Sequence, residues 1–381
     1  MDMDDQTDPA RTGWLLYHSV GMFPGQRDAA RSAFESFVET WYRPDSHRWD
    51  YGLGLRRRVL DDWAALVNVP ASSVFAADSV TDAFARLVGA LGAGRLAGRR
   101  VLIAGDCFPS LHYLLTGLAP VFGFTLDTVA LEPGAAYVDD DAYLAHWQDD
   151  VALAVVTWVT STASKRADLA RLVAHGRAQG SLIAVDATQG VGIVDFDATR
   201  FGIDFAACTT LKWLCGAPGA ALAYLNPALL ERGLAPLVQG WFSQPDPFNW
   251  DLTRFTLAPD ARRFDNGTPS LLPFVASAPG FAWRASPEAA GMRAHNLALS
   301  HRLIELFDRK GYRVLSPRDD AERGGSVMAE LPPFIEPRAL EATLARDGVL
   351  IDTRGRTLRA SPGPLTRSAA IDTLSTLLPD A

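Results

Sequence analysis

The chain has 381 residues, of which 48% are hydrophobic and 21% are charged, and its formal net charge is −8. A chain of this length is too long for a single minimal hydrophobic core, and we predict one large domain and one smaller domain. The acidic balance argues against a nucleic-acid-binding protein and a polybasic membrane protein, and no apolar run approaches the roughly 20 residues that span a bilayer.

The polar residues 1–12 predict a frayed tail, and their acidic start, Met1-Asp2-Met3-Asp4-Asp5, has the wrong sign for a secretory signal. The three cysteines lie near apolar segments and show neither CxxC nor metal-finger spacing. They therefore predict reduced thiols in a cytoplasmic protein, and no metal site.

From residue 26 to residue 225 the chain alternates between helical and apolar patterns. Helices are predicted over residues 26–42, 55–67, 81–91, 110–118, 142–149 and 166–179, and strands over 100–104, 125–130, 151–158, 182–186, 205–209 and 220–225. Continuous apolar strands separated by helices favour an α/β fold, with a mostly parallel sheet covered by helices on both faces. In such a sheet, ligands bind beyond the carboxyl ends of the strands.

The pattern changes near Gly240, where an irregular segment rich in Trp, Phe and Pro extends to residue 270. A long helix over residues 287–310 is predicted next. A small α+β module follows, with strands over 312–316, 326–331, 349–353 and 357–360 and helices over 337–347 and 366–378. The predicted domains are an N-terminal segment (1–60) that packs with the small domain, a large domain (61–270) and a small C-terminal domain (271–381).

Lysine is rare here, with three residues against 33 arginines. Lys165 and Lys310 are predicted to lie on the surface. Lys212 instead follows an apolar strand and precedes a Gly/Pro-rich turn, where a hydrated ammonium is rarely placed without a partner or a reaction to perform.

Asp186 ends the apolar strand at residues 182–186 and precedes Lys212 by 26 residues. A lysine and a carboxylate at two strand ends suit pyridoxal 5'-phosphate (PLP), which needs an amine for its Schiff base and an acid that keeps its ring nitrogen protonated. The alternative is a surface lysine and an aspartate that caps a helix.

Taken together, the chain resembles fold-type I PLP-dependent enzymes of the aminotransferase class V group, and most closely its kynureninase-like branch. The order and spacing of short motifs from residue 17 to residue 362 carry this resemblance: Tyr17-His18-Ser19-Val20-Gly21, Phe108-Pro109-Ser110, Thr210-Leu211-Lys212, Gly240-Trp241-Phe242, Gly267-Thr268-Pro269 and Leu358-Arg359-Ala360-Ser361-Pro362. It implies a PLP-dependent transferase-like fold, an amino-acid substrate and a homodimer with shared active sites.

The resemblance also implies roles for residues at the large domain's strand ends. Ser79, Val80 and Thr81 precede or open a helix and are expected to hold the cofactor phosphate through hydroxyl and backbone N–H groups; a capping box without a ligand is the alternative. Phe108 is expected to stack on the pyridine ring, the alternative being a core phenylalanine.

Asp186 is expected to bind the ring nitrogen by a charge-assisted hydrogen bond, and Gln189 to lie near the cofactor's phenolic oxygen. Thr210 is expected to contact the phosphate. Trp241 and Thr268 match positions that bind phosphate or substrate, in part from the neighbouring subunit, although Trp241 could instead be an aromatic anchor of its loop.

Arg359 lies in the motif whose arginine grips the substrate α-carboxylate in this group, as a bidentate clamp. Arg354 and Arg356 lie nearby on a hairpin-like stretch and are predicted to be solvated.

Three departures argue against a plain kynureninase. Leu111 replaces an acidic residue, Leu211 replaces a tyrosine before the lysine, and Gln189 replaces a histidine. Hydrolytic Cβ–Cγ cleavage needs polar groups for water and for the departing carbanion. A cysteine desulfurase is also disfavoured, because no cysteine follows Cys215.

The sequence thus predicts a PLP enzyme in which Lys212 removes the Cα proton of an amino acid. Loss of a group from Cβ would make it a Cβ–S or Cβ–C lyase, and reprotonation on the cofactor would make it an aminotransferase. A non-catalytic binding or regulatory protein is the alternative of another class; it predicts loss of Lys212 or Asp186, and both are present.

Overall fold

The computed structural model describes residues 13–381, so the predicted N-terminal tail lies outside the described residues. The strands are β1 (Gly13–Trp14), β2 (Val74–Ala77), β3 (Arg100–Ala104), β4 (Thr125–Val129), β5 (Val151–Thr157), β6 (Leu182–Asp186), β7 (Phe205–Thr209), β8 (Ala221–Leu225), β9 (Val327–Glu330), β10 (Val349–Leu350), β11 (Asp352–Arg354) and β12 (Thr357–Ala360).

The helices are α1 (Gln26–Trp41), α2 (Arg48–Leu66), α3 (Val80–Leu96), α4 (Pro109–Phe122), α5 (Asp140–His146), α6 (Leu169–Gln179), α7 (Ala198–Phe201), α8 (Pro227–Glu231), α9 (Leu272–Arg284), α10 (Met292–Arg309), α11 (Pro337–Arg346) and α12 (Ser368–Leu377). No helix in residues 13–381 combines the length and the apolar character that a membrane crossing requires.

Seven strands form the central sheet in the order β2-β8-β7-β6-β5-β3-β4. The five neighbouring strands β7, β6, β5, β3 and β4 pair in parallel, whereas β8 is antiparallel to both of its neighbours, β2 and β7. The predicted α/β fold with a mostly parallel sheet is therefore confirmed. The sequence analysis missed β2, because four buried residues are too few to show a periodicity.

Both faces of this sheet are buried. Along β5, Ala154 and Val156 belong to the hydrophobic core on one face, and Leu153 and Val155 belong to the core on the other face. Alternate residues of a strand point to opposite faces, so an uninterrupted apolar run is what a sheet covered on both sides requires.

The C-terminal module has its own core and a three-stranded antiparallel sheet in the order β11-β12-β9. The chain's N-terminal side contributes to it, because β1 pairs in parallel with β10 and Leu15 is buried in its core. In contrast, α1, α2 and α9 supply Phe37, Trp63 and Val275 to the core of the large sheet.

Several predicted elements differ in the structure. The segment over residues 312–316 forms one isolated bridge, Val314 to Ala329, instead of a strand. The strand predicted over 349–353 is divided into β10 and β11. The helix predicted from residue 287 begins at Met292, because Gly291 adopts a left-handed conformation with φ of 80°. Helix α9 was not predicted.

Candidate active site

A cleft of about 290 Å³ opens at the carboxyl ends of β5, β6 and β7 and beside the start of α3. This is the position at which a doubly covered parallel sheet binds its ligands. The lining residues are Asp78, Ser79, Val80, Thr81, Phe108, Ser110, Leu111, Thr157, Val159, Ser161, Asp186, Thr188, Gln189, Thr209, Leu211, Lys212, Pro218 and Gly219.

Asp186 is the last residue of β6 and lies buried in the floor of this cleft. Its Oδ1 accepts a hydrogen bond from the backbone N–H of Thr188 at 3.0 Å. Burial raises the pKa of Asp186, and the backbone hydrogen bond from Thr188 and the charge of Lys212 oppose this rise. A cationic N–H bound in the cleft would stabilise the carboxylate further.

Lys212 is held by a loop that the N-terminal segment buttresses. The backbone N–H of Gly21 donates to Leu211 O at 2.9 Å, and that of Cys215 donates to Lys212 O at 2.9 Å. A Cβ atom at Gly21 would lie 1.7 Å from the Lys212 carbonyl oxygen, so only glycine permits this approach. The motif around residue 21 therefore positions the lysine.

The Lys212 amine points into the cleft, with Nζ 5.5 Å from the centroid of the Phe108 ring. Burial lowers the pKa of Lys212 to about 8; Asp186 opposes the shift, while Arg359 and Arg354 add to it. A lysine whose pKa approaches neutrality carries a substantial fraction of free amine, the form that acts as nucleophile and base.

The other two lysines form ion pairs away from the cleft. Lys165 pairs with Asp140 and is buried, so its predicted surface location was wrong. Lys310 is partly buried and pairs with Asp380 at 3.0 Å. Lys212 has no carboxylate within ion-pair distance among the described residues, which leaves its amine available for a reaction.

The start of α3 faces the cleft and presents backbone N–H groups of the kind that bind anions. Ser79 is the N-cap, and its Oγ accepts the backbone N–H of Asp82 at 3.1 Å. The N–H groups of Val80 and Thr81 belong to the first turn, which lacks intrahelical acceptors, and both residues line the cleft. Capping and phosphate binding are thus compatible here, because they use different donors.

Phe108 precedes α4 and is 39% exposed, with its ring in the cleft wall. The alternative of a core phenylalanine does not apply. The neighbouring Leu111 and Leu211 also line the cleft. This wall is therefore apolar and offers a flat surface on which an aromatic ring can stack.

Three polar atoms in the cleft are buried without a hydrogen-bond partner: Thr157 Oγ1, Thr188 Oγ1 and Gln189 Oε1. Buried polar groups are normally satisfied, so these atoms indicate a polar ligand. The Gln189 amide nitrogen donates to His18 O at 3.0 Å. Sequence reasoning missed both threonines, which show no signal other than their position at or just after a strand end.

The structure does not bring Thr210 to the cleft. Thr210 is fully buried, and its hydroxyl lies 3.0 Å from Ala217 O and 3.1 Å from Ser277 Oγ. The expected phosphate contact is therefore not formed in this chain, and Thr210 instead ties down the lysine loop. Its neighbour Thr209, which was not predicted, lines the cleft.

Trp241 and Thr268 also lie outside the cleft of their own chain. Trp241 packs in an aromatic cluster, with its ring centroid 5.8 Å from that of Trp250 and 6.3 Å from that of Trp49. Thr268 lines a separate cavity beyond Asp78. Within its own chain, Trp241 therefore packs as the aromatic anchor of its loop, which was the alternative interpretation.

Arg359 lies on β12, is only 7% exposed, is not among the residues that line the cleft, and is held on one side by a carboxylate. Its Nε donates to Asp352 Oδ1 at 2.8 Å, and its Nη2 donates to Oδ2. Burial would raise the pKa of Asp352, but His18 and Arg359 outweigh it and hold the pKa at about 2. The second side of the guanidinium, at Nη1, has no hydrogen bond among the described residues.

His18 completes this network. Its Nε2 lies 2.9 Å from Asp352 Oδ1, and its Nδ1 lies 2.6 Å from Ser361 Oγ. Burial lowers the pKa of His18, so at neutral pH the imidazole is neutral and contributes a hydrogen bond, while Arg359 supplies the charge. The motifs around residues 18 and 359 therefore meet in one cluster.

Arg354 differs from its prediction. The residue is exposed, but its guanidinium carbon lies 5.9 Å from the centroid of the Phe108 ring. Its Nη1 donates to Ser161 Oγ at 3.1 Å. Arg354 is thus exposed, as predicted, but it also contacts two residues of the cleft, whereas Arg356 is exposed and hydrogen-bonds to carbonyls of its own module, as at Leu331 O.

The described residues contain no cluster of three or more metal-binding side chains. The family model for aminotransferase class V matches residues 58–371. This chain belongs to that family.

Individual relatives agree with this assignment. Kynureninase from Deinococcus radiodurans is 30% identical over 359 residues, covering 90% of this chain and 83% of the relative. An uncharacterized aminotransferase of Bacillus subtilis, YcbU, is 23% identical over 317 residues, covering 82% of this chain and 80% of the relative. The chain is thus a kynureninase-like member of a family of PLP enzymes.

Solved structures share the fold. A cysteine desulfurase from Thermococcus onnurineus aligns with a TM-score of 0.82 and 16% identity, over 96% of this chain and 94% of that one. The cystine C–S lyase C-DES, in complex with its reaction product cysteine persulfide, aligns with a TM-score of 0.81 and 18% identity, over 98% of each chain. The predicted fold-type I architecture is confirmed.

The cofactor of this class V enzyme is PLP, and the cleft fits it. The helix start offers an anion site, the Phe108 wall offers an apolar face, and Asp186 offers a carboxylate. The three unpartnered polar atoms are available to a ligand with several oxygen atoms. The predicted PLP dependence is confirmed; the role of each residue toward the cofactor is part of the proposal below.

Proposed function

We propose that this enzyme is a PLP-dependent lyase that cleaves a Cβ–S or Cβ–C bond of an α-amino acid. The observation that carries the proposal is the pair formed by a buried carboxylate, Asp186, and an amine of lowered pKa, Lys212, in one cleft. Its likeness to kynureninases over most of the chain supports cleavage at Cβ rather than another outcome.

PLP supplies an electron sink that stabilises negative charge at the substrate Cα. In our proposal Asp186 holds the proton on the ring nitrogen, and Ser79, Val80 and Thr81 bind the phosphate. Phe108 stacks on the ring, and Gln189 orients toward the phenolic oxygen. Thr157 and Thr188 are further candidates for hydrogen bonds to the cofactor.

Lys212 would hold PLP in the loaded enzyme, and its amine, when free, would take the proton from the substrate Cα. Its lowered pKa leaves it able both to accept this proton and to return it. Arg359 binds the substrate α-carboxylate, using the guanidinium side at Nη1 that Asp352 does not occupy. The electron pair left at Cα would then form a double bond to Cβ, and the group on Cβ would leave with the electron pair of the bond that breaks.

Leu111 and Leu211 make the wall beside Lys212 apolar. Hydrolytic cleavage of a Cβ–Cγ bond must activate a water molecule, and these two side chains cannot do so. We therefore propose elimination of a leaving group rather than the hydrolysis of kynurenine.

The test is incubation of the PLP-loaded enzyme with a panel of amino acids, with and without a keto-acid acceptor. The panel contains L-kynurenine, S-substituted cysteines, alanine and aspartate. We expect pyruvate and a free thiol from S-substituted cysteines without an acceptor. Amino transfer that requires the acceptor would instead establish the aminotransferase, the candidate that the likeness to YcbU favours. An inert, PLP-free protein would support the non-catalytic alternative.

We further propose that the enzyme is a cytoplasmic homodimer in which Trp241 and Thr268 serve the partner's cleft. Neither residue lines the cleft of its own chain. Trp250 and Leu252, in the same irregular segment as Trp241, are 70% and 95% exposed, an apolar surface of the kind that subunits cover. The three buried free cysteines fit a reducing compartment.

Mixed dimers test the shared site. One subunit carries Lys212→Ala and the other carries Trp241→Ala with Thr268→Ala, each with its own affinity tag. If the two residues act across the interface, the mixed dimer has one complete cleft and regains up to about half of the activity per dimer, while both parent dimers are impaired. Absence of any recovery in a purified mixed dimer would place both residues in their own subunit's cleft.

A further inference from the structure

We infer that Arg354 binds a second acidic group, on the side chain of the substrate, and selects amino acids whose leaving group carries a carboxylate or a similar anion. This inference rests on the proposed lyase function and adds a substrate class to it.

The position of Arg354 places a cation at the rim of the cleft. Its guanidinium carbon lies 5.9 Å from the Phe108 ring centroid, and the Lys212 amine lies 5.5 Å from the same centroid. Its Nη1 also donates to Ser161 Oγ at 3.1 Å. Since Phe108 and Ser161 both line the cleft, a small molecule attached near Lys212 can extend to the Arg354 guanidinium.

Arg354 and Arg359 lie on neighbouring strands of the C-terminal module and differ in their electrostatic partners. Arg359 is buried and paired in a bidentate manner with Asp352. Arg354 has no carboxylate within 4.0 Å among residues 13–381. Asp352, two residues before Arg354, turns its oxygens toward His18 and Arg359 instead. A guanidinium beside an apolar wall, with most of its N–H groups unused, is suited to bind a carboxylate.

The depth of the two arginines assigns them to different parts of the substrate. Arg359, which we propose binds the α-carboxylate, is buried, whereas Arg354 is exposed and contacts two cleft-lining residues, Phe108 and Ser161. The side chain of the substrate is the longer arm and reaches toward solvent. Ser161 lines the cleft and accepts a hydrogen bond from Arg354, so an acidic group on that arm would bind at Arg354 and Ser161.

A simpler interpretation is that Arg354 only covers the Phe108 ring by a cation–π contact. That interpretation predicts no preference between charged and neutral substrate side chains. The two interpretations are separated by a matched pair of ligands, S-(carboxymethyl)-L-cysteine and its neutral amide S-(carbamoylmethyl)-L-cysteine, which have the same shape and leaving atom and differ in one charge.

The experiment measures both dissociation constants of the PLP-loaded enzyme by calorimetry, and both kcat/KM values by release of pyruvate. We expect the wild-type enzyme to prefer the acid by about 10- to 100-fold, the range of one charge-assisted pair. In Arg354→Gln this preference should fall to near one. Arg354→Lys should keep part of it, because the charge remains but the fork is lost. Arg356→Gln is the matched control, a neighbouring exposed arginine, and should keep the full preference.

A charge reversal gives a second, positive readout. Arg354→Glu should reject the acid and bind S-(2-aminoethyl)-L-cysteine, which carries a cation, more tightly than the wild-type enzyme does. The inference is overturned if the wild-type enzyme shows no preference for the acid, if the preference survives in Arg354→Gln, or if Arg356→Gln removes it equally. Preferential binding of the acid without pyruvate release would sustain the inference and refute the proposed lyase.

Discussion

The sheet wall of the cleft and the C-terminal module beside it differ in how far their polar groups are satisfied. On the sheet side, Thr157, Thr188 and Gln189 each have a buried oxygen atom without a partner, and Lys212 has no ion pair among the described residues. On the side of the C-terminal module, Arg359 is bound to Asp352, and Asp352 is also bound to His18.

This difference shows which wall depends on a ligand. Unpaired buried polar groups cost free energy in the isolated chain, and a bound cofactor relieves that cost. In the C-terminal module, by contrast, Asp352 already orients the Arg359 guanidinium before any substrate arrives, which suits a clamp that must hold one orientation. Four substitutions test this division.

The largest effect is expected at Lys212. We expect Lys212→Ala to lose the covalent link to PLP and to lower turnover by about 10⁴-fold or more, because both the nucleophile and the base are removed. Borohydride reduction followed by mass spectrometry of the wild-type enzyme should find the pyridoxyl group on Lys212. An adduct on Lys165 or Lys310 would contradict the assignment, and Lys310→Ala should be almost silent.

Asp186→Asn is expected to retain PLP and to lower activity by about 10³-fold, since a neutral amide cannot hold the ring nitrogen protonated. Asp186→Glu should be less damaging because the charge remains. Absorbance spectra would report cofactor occupancy and steady-state kinetics the rate. Near-full activity in the Asn variant would show that the sheet wall does not supply this charge.

Arg359→Lys tests the arginine of the C-terminal module as the carboxylate clamp. We expect KM to rise and kcat/KM to fall by about 10²-fold, equivalent to roughly 2.7 kcal/mol, because lysine keeps the charge but cannot bind Asp352 and a substrate carboxylate as a planar fork. PLP binding should be unchanged. Arg356→Lys, an exposed neighbour, is the control, and a loss of activity in the control with a harmless Arg359 change would relocate the clamp.

The smallest effect concerns the contribution of Asp352 to the stability of the fold. The pKa of Asp352 in the folded protein is about 2, below its usual value near 3.9. Its ionised form therefore stabilises the fold above pH 4, and this contribution is lost as pH falls toward 2. Because Asp352 is partly exposed, we expect a contribution of about 1 kcal/mol. The unfolding free energies of wild type and Asp352→Asn should converge as pH falls from 5 to 2; a constant difference would argue against the ion pair.

The sequence by itself determined the chemistry of the sheet wall. Apolar runs that end in Asp186 or lead into Lys212 predict side chains at one edge of a parallel sheet, since carboxyl ends of parallel strands meet there. A Ser-Val-Thr stretch before a helical pattern likewise predicts a phosphate site. These inferences are local, because each depends on a strand or helix and the residue at its end.

Tertiary structure alone decided the contacts of the C-terminal module and the residues whose predicted location or contacts were incomplete or wrong. The Thr210 hydroxyl lies outside the cleft, in contact with the Ser277 hydroxyl, and Lys165 is buried in an ion pair with Asp140. Arg354 reaches Ser161 across 193 residues of chain. Such contacts depend on how distant elements pack, and hydrophobic periodicity carries no information about which polar side chains meet there.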